Sequence, residues 1–244
     1  MGAETYIGVS SIFFVEYLPI RKGVSSMLFM IMAFMTLPGE TEAGSISMIL
    51  PGIVYEDSTI FQQGDWMGLF VPDSGMCTLR LVELEVVREQ DPLYDWERPA
   101  GLIVTTPQEE QRPLVLLMSP DGIVTPGPVE MFLGVKLLLP PDTTFIFRSE
   151  SVETAEFQTS EDGLFMTADQ LTQTITETTP GNGPSAPYMN LIWAGDLDRD
   201  GMIDFILDDV DNDYLIYSWD LYLSSTAAPG QLVEKVESFY DVYY

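Results

Sequence analysis

The sequence predicts a mostly β protein in which antiparallel strands form a sandwich, a barrel-like sheet or a meander. Short apolar or alternating runs recur after residue 44, and their β-branched and aromatic residues favour strands. Turn-forming residues separate the runs, and 17 prolines with 19 glycines make long helices improbable. The predicted strands are residues 66–71, 77–87, 102–105, 114–118, 129–139, 143–148, 189–193, 203–207 and 214–223.

The 244 residues are enough for one large β domain or for two small β subdomains. Residues 154–187 are richer in Thr, Ser, Gln and Asp than the rest, so we expect a boundary near residue 150. It divides the chain into β-rich regions at residues 44–150 and 151–244. Residues 231–239 fit either a short helix or a strand.

The N-terminal residues 1–43 resemble a secretory signal segment. Residues 23–39 carry no charge, Arg21 and Lys22 precede them, and small residues around Ala43 fit a cleavage site. The apolar core is shorter than the about 20 residues of a membrane span. We therefore expect a secreted, periplasmic or cell-surface protein with no stable membrane span after cleavage. The alternatives are a tilted membrane anchor and a buried pair of strands.

Charge and missing residue types narrow the chemistry. The net charge of −28 repels nucleic acids, and no Lys/Arg cluster offsets it, so we expect no nucleic-acid partner. There is no histidine, which excludes Ser-His-Asp and Cys-His catalysis and the usual zinc sites. The one cysteine, Cys77, lies in an apolar run and is expected to be a buried small hydrophobe.

Residues 196–204 follow the pattern D-x-D-x-D-G-x-x-D. Alternating carboxylates can turn towards one centre when a chain wraps around Ca²⁺, which takes six to eight oxygens at about 2.3–2.6 Å. Gly201 permits the sharp turn that such a loop needs. Without a cation the clustered carboxylates would repel one another. The predicted calcium ligands are Asp196, Asp198, Asp200, the main-chain carbonyl of Met202, and Asp204.

The loop differs from an EF-hand, because Leu207 occupies the position of the bidentate glutamate and the flanks are strand-like. We therefore expect the loop to connect a β-hairpin. Residues 195–204 resemble the calcium loops of FG-GAP/VCBS-type secreted bacterial proteins. The resemblance implies calcium bound by the four aspartates, in a single loop copy with no defined activity. A solvated acidic turn remains the alternative.

Neighbouring acids leave further alternatives open. Asp208 could complete the calcium shell, whereas Asp211 and Asp213 suit either a second ion or, as we favour, an exposed hairpin tip. Glycoside hydrolysis needs paired carboxylates and no histidine. Its candidate acids, and the tryptophans that could contact a sugar, are Glu83, Glu85, Asp95, Glu97, Trp66 and Trp96.

The sequence contains no recognisable catalytic arrangement, so we expect a non-enzyme. The favoured function is a secreted calcium-binding β protein with a structural or binding role, whose further partner would be a protein or a glycan. The alternatives are a carbohydrate-binding or carbohydrate-active module and a membrane-anchored surface adhesion domain.

Overall fold

A computed structural model describes residues 46–55, 64–72, 76–89, 101–134, 136–149, 151–160, 162–177, 189–209 and 216–242. Within these ranges the chain forms strands and no helix. The strands are β1 (Ser47–Ile49), β2 (Val54–Tyr55), β3 (Trp66–Phe70), β4 (Cys77–Leu81), β5 (Glu85–Glu89), β6 (Gly101–Thr105), β7 (Val115–Met118), β8 (Gly127–Leu133), β9 (Leu137–Leu139), β10 (Thr144–Phe147), β11 (Ala155–Ser160), β12 (Gly163–Ala168), β13 (Leu171–Glu177), β14 (Met189–Asp196), β15 (Asp204–Asp209), β16 (Ile216–Leu223) and β17 (Glu234–Val242).

The largest sheet has ten strands in the order β1-β7-β3-β4-β8-β14-β15-β16-β17, with β9 paired to β14. Its strand pairs are antiparallel, and its two end strands β1 and β17 contact each other. The sheet therefore curves into a nearly closed barrel. A four-stranded sheet, β10-β11-β12-β13, and a three-stranded sheet, β2-β6-β5, complete the described architecture.

Strands β14 to β16 lie between two hydrophobic cores. Along β15, Ile206 packs into a core shared with β1, β3 and β7, whereas Phe205 and Leu207 pack into a second core shared with β10 to β12. The same alternation separates Leu221 from Tyr222 on β16. Both faces of these strands are buried, so their hairpin connections have rigid flanks on which a binding site can be built.

The predicted mostly β, antiparallel fold is confirmed. Residues 77–87 form parts of two strands, β4 and β5, and residues 129–139 contribute to β8 and β9. Within the ambiguous residues 231–239, strand β17 begins at Glu234. The boundary near residue 150 stays a prediction.

The N-terminal segment at residues 1–43 lies outside the described residues, and so does any test of its cleavage. Among the residues that the structure does describe, none forms a helix with the length and hydropathy needed to cross a membrane.

Candidate metal centre

The acidic loop connects β14 to β15, as the sequence predicts for a hairpin. Its first aspartate, Asp196, ends β14, and its last, Asp204, begins β15 opposite Gly195. Position 195 requires a glycine, because a Cβ atom there would clash with the main-chain carbonyl oxygen of Glu130 on β8. Gly201 has a φ of +85°, which confirms the turn expected at this glycine.

Three carboxylates meet at this loop. One oxygen each from Asp196, Asp198 and Asp204 lies within 4.8 Å of the others. Asp196 and Asp204 are buried and Asp198 is half-buried. The fourth predicted carboxylate, that of the exposed Asp200, is not a member of this close group and instead contacts the hydroxyl of Ser224. The structure thus gathers three of the four predicted side chains.

The Asp204 carboxylate accepts main-chain hydrogen bonds from its own loop and from the chain after β16. It is fully buried, and its Oδ2 accepts the main-chain N–H groups of Leu197 at 2.7 Å and Asp198 at 3.3 Å. Its Oδ1 accepts the main-chain N–H of Ser224 at 2.8 Å. Because both oxygens have main-chain donors, the orientation of this carboxylate is fixed before any ion binds.

The Asp196 carboxylate has unused bonding capacity. The side chain is 9% exposed, and its Oδ2 accepts the N–H of Gly201 at 3.1 Å. Its Oδ1 is buried and has no hydrogen-bond partner among the described residues. A buried anionic oxygen without a partner is costly, and a cation in the group would remove that cost.

The three clustered acids have raised pKa values. Burial is the largest cause for Asp196, Asp198 and Asp204 alike. The pKa of Asp204 lies well above its ordinary value, and the charge of Asp198 is the second cause. Hydrogen bonds from Gly201 to Asp196, and from Ser224 and Leu197 to Asp204, oppose these shifts without cancelling them. The metal-free cluster therefore resists full ionisation, and a bound cation would reverse that electrostatic balance.

Two contacts outside the acidic positions anchor the loop. Arg199, with a φ of +67°, donates from Nε to the Pro128 carbonyl at 2.9 Å and from its terminal nitrogens to Thr125 at 2.8 Å. On another side, the Gly201 carbonyl accepts the main-chain N–H of Glu153 at 3.0 Å. The turn is therefore tied to the β7–β8 connection and to the chain before β11.

Other predicted site residues have different outcomes. The N–H of Met202 donates to Asp200 Oδ1 at 2.8 Å, and the role of its carbonyl stays a prediction. Asp208 is not a member of the close group; its Oδ2 pairs with Lys136 Nζ at 2.7 Å, and its buried Oδ1 has no hydrogen-bond partner among the described residues. Asp211 and Asp213 lie outside the described residues.

The carbohydrate candidates receive little support from the described residues. Trp66 is 4% exposed in the core, so its ring is not presented to a sugar. Glu83 and Glu85 are both exposed, but Glu83 lies between β4 and β5 and only Glu85 is in a strand, so the two do not share one strand face. Asp95, Trp96 and Glu97 lie outside the described residues.

Sequence reasoning missed two serines. Ser224 and Ser225 immediately follow β16, and their hydroxyls reach Asp200, Asp204 and Asp198. The only available signal was their position at a strand end, which acquires meaning once β16 is paired with β15.

The arrangement presents hard oxygen donors, including a buried carboxylate oxygen that lacks a partner. This donor set fits a hard divalent cation, and the Asp cluster could hold a metal ion. The chain matches no protein-family model, no curated protein and no solved structure.

Proposed function

We propose that this chain is a secreted calcium-binding β protein with a structural or binding role, in which calcium clamps the β14–β15 loop. Asp196, Asp198 and Asp204 would hold the ion, joined by Asp200 and the Met202 carbonyl. Calcium binding is expected to stabilise the hairpin and to fix the surface around it. No catalytic role is proposed.

The observation that carries the proposal is the convergence of three carboxylates, one of which has a buried oxygen without a partner. Ordinary acidic turns keep their carboxylates in water, where charge is cheaply solvated. Here the Asp204 carboxylate is fully buried and main-chain donors fix its orientation, so water cannot solvate it when it is ionised. A divalent cation is the partner that matches this concentration of negative charge.

Calcium suits the site better than magnesium. Calcium accepts six to eight oxygens in flexible geometry, whereas magnesium demands a near-ideal octahedron and keeps several waters. A loop that offers up to four carboxylates and a carbonyl resembles a calcium shell. Magnesium should therefore bind more weakly at equal concentration.

Ion binding to the folded chain alone would stabilise it by RT ln(1 + [L]/Kd), about 2.7 kcal/mol at a hundredfold excess over Kd. The stabilisation should be concentrated where the loop meets its anchors. These anchors are the β7–β8 connection, the chain before β11 and the end of β16. One ion would thus stabilise contacts among several connections of the fold.

Titration calorimetry and thermal melts test the proposal directly. In calorimetry, the heat of calcium binding to the purified chain should saturate near one ion per chain. The melting temperature should be higher in calcium than in chelator. Magnesium at the same concentration should give a smaller rise. Absence of both calcium uptake and a calcium-dependent melt would overturn the metal function.

Secretion needs a separate measurement. The sequence motivates it through the uncharged residues 23–39 and the small residues around Ala43. The intact mass of the exported protein should correspond to a chain that begins near Gly44. A retained N-terminus would leave the membrane anchor and the buried pair of strands as the readings of this segment, and the calcium proposal would be unaffected.

A further inference from the structure

The connection after β16 supplies hydroxyls to the acidic loop. Ser224 is 6% exposed, and its Oγ lies 3.1 and 3.0 Å from the two carboxylate oxygens of Asp200. The same Oγ lies 2.9 Å from Asp204 Oδ1. Ser225 donates its hydroxyl to Asp198 Oδ2. The residues that contact the acids thus come from two separate hairpin connections.

The single proton of the Ser224 hydroxyl cannot serve three carboxylate oxygens at once. When Asp200 and Asp204 are both ionised, as a calcium shell requires, whichever oxygen receives the proton leaves the other two facing the lone pairs of Oγ at 2.9–3.1 Å. The oxygens around the Ser224 hydroxyl thus have too few donors, and the buried Oδ1 of Asp196 in the same loop has none among the described residues. A cation beside Asp204 would supply the missing charge for the whole group.

We propose that Ser224 is a positioning residue of the metal centre, whose hydroxyl holds the Asp200 carboxylate beside Asp204 so that Asp200 serves as the fourth carboxylate ligand. The inference rests on the proposed calcium function. It also assigns the end of β16 to the site, so that the ion ties the β16–β17 connection to the β14–β15 loop.

Asp200 needs such a partner because it is exposed. Besides Ser224, its carboxylate accepts the N–H of Met202, at 2.8 Å, in a local turn. Without the hydroxyl, the carboxylate would be free to face water, and ordering it around an ion would cost side-chain entropy. Residues that orient metal ligands typically contribute about 10–100-fold to affinity.

The inference is tested by measuring the calcium affinity of three variants, Ser224→Ala, Ser224→Thr and Ser218→Ala. Ser218 is the matched control, since it is a buried serine within β16, the strand that Ser224 follows, and donates to Asp220 instead of the loop acids. Ser224→Ala should weaken calcium binding about tenfold. Ser224→Thr, which keeps the hydroxyl, should recover most of the affinity, and Ser218→Ala should bind calcium as the unchanged protein does.

A double-mutant cycle with Asp200→Ala, which removes the side-chain oxygens that the Ser224 hydroxyl contacts, separates positioning from a general loss of structure. If Ser224 acts through Asp200, adding Ser224→Ala to Asp200→Ala should weaken calcium binding by less than about twofold. An equal tenfold loss in both backgrounds, or unchanged affinity in Ser224→Ala alone, would overturn the positioning role. Calcium binding by the unchanged protein would still stand in either case, so the two proposals fail in distinguishable ways.

Discussion

The carboxylate of Asp204 accepts the main-chain N–H of Ser224 at 2.8 Å, which joins the first residue of β15 to the residue that follows β16. Its other oxygen accepts the N–H of Leu197 from the opposite side. One buried side chain therefore holds two hairpin connections together, with or without an ion. Asp198 is half-buried at the rim of the cluster and accepts the main-chain N–H of Asp200 at 3.2 Å and the hydroxyl of Ser225.

Asp204→Asn should lower stability in chelator as well as remove calcium binding. An amide has one oxygen, so it cannot replace both acceptor positions, and at least one buried N–H loses its partner. We expect a loss of about 1–3 kcal/mol in chemical denaturation without calcium. Unchanged stability of the metal-free variant would contradict the role assigned to this carboxylate.

Asp198→Asn should behave differently. It removes a charge that raises the pKa of Asp204, and so relieves repulsion in the metal-free cluster. Its stability in chelator should fall by less than that of Asp204→Asn, because the relieved repulsion offsets the loss of one acceptor oxygen. Most of the calcium-dependent rise in melting temperature should disappear. Asp121→Asn, at an exposed turn, is the control and should keep the full rise. A full rise in Asp198→Asn would place the ion elsewhere.

The hairpin loop was predictable because its information is local. Alternating aspartates and Gly201 determine a turn within nine residues, and the strands beside it are strongly apolar. Ser224 was not predictable, since its approach to Asp204 depends on the pairing of β15 with β16. A serine after a strand has no distinguishing pattern of its own.

Strands β11 to β13 were missed for another reason. They occupy the Thr- and Gln-rich region, where composition suggested a boundary. In β11, Ala155 and Phe157 alternate with half-buried polar residues, so one face packs on the second core while the other is polar. The two-residue period was present in the sequence, but the polar face dominated the composition.

Gly201→Ala and Gly230→Ala form a second matched pair. Both glycines have left-handed φ values, +85° and +89°, and neither place is crowded. Each substitution should cost roughly 1–3 kcal/mol of folding stability, because alanine disfavours that conformation. Only Gly201→Ala should also weaken calcium binding, as its N–H orients Asp196. Equal calcium affinity in the two variants would argue against the loop as the site.

Lys136→Met tests whether Asp208 belongs to a separate cluster. Asp208 is fully buried, its Oδ2 pairs with Lys136, and the amide of Asn190 contacts the same oxygen at 3.4 Å. Loss of the ammonium group should destabilise the fold by about 1–3 kcal/mol, because a buried carboxylate loses its close partner. Calorimetry should show unchanged calcium affinity. Weaker binding in Lys136→Met would connect Asp208 to the metal site.

Calcium binding should release protons at mildly acidic pH. The pKa values of Asp196, Asp198 and Asp204 are raised above 3.8 in the metal-free fold, chiefly by burial. The folded chain therefore retains protons that the unfolded chain has lost. Their stabilising contribution is complete below the ordinary pKa and disappears as the pH rises through the raised values.

Calcium requires the ionised carboxylates, so its affinity should increase over the same pH range in which the metal-free fold loses this contribution. Calorimetry in two buffers with different ionisation enthalpies measures the effect, since released protons make the observed heat depend on the buffer. Measured at one mildly acidic pH and at one higher pH, the dependence should be larger at the lower pH, where the raised pKa values keep protons on the folded metal-free chain. In Asp204→Asn it should disappear together with binding. Calcium uptake with the same affinity at both pH values and with no proton release would show that the ion binds carboxylates of ordinary pKa, away from this buried cluster.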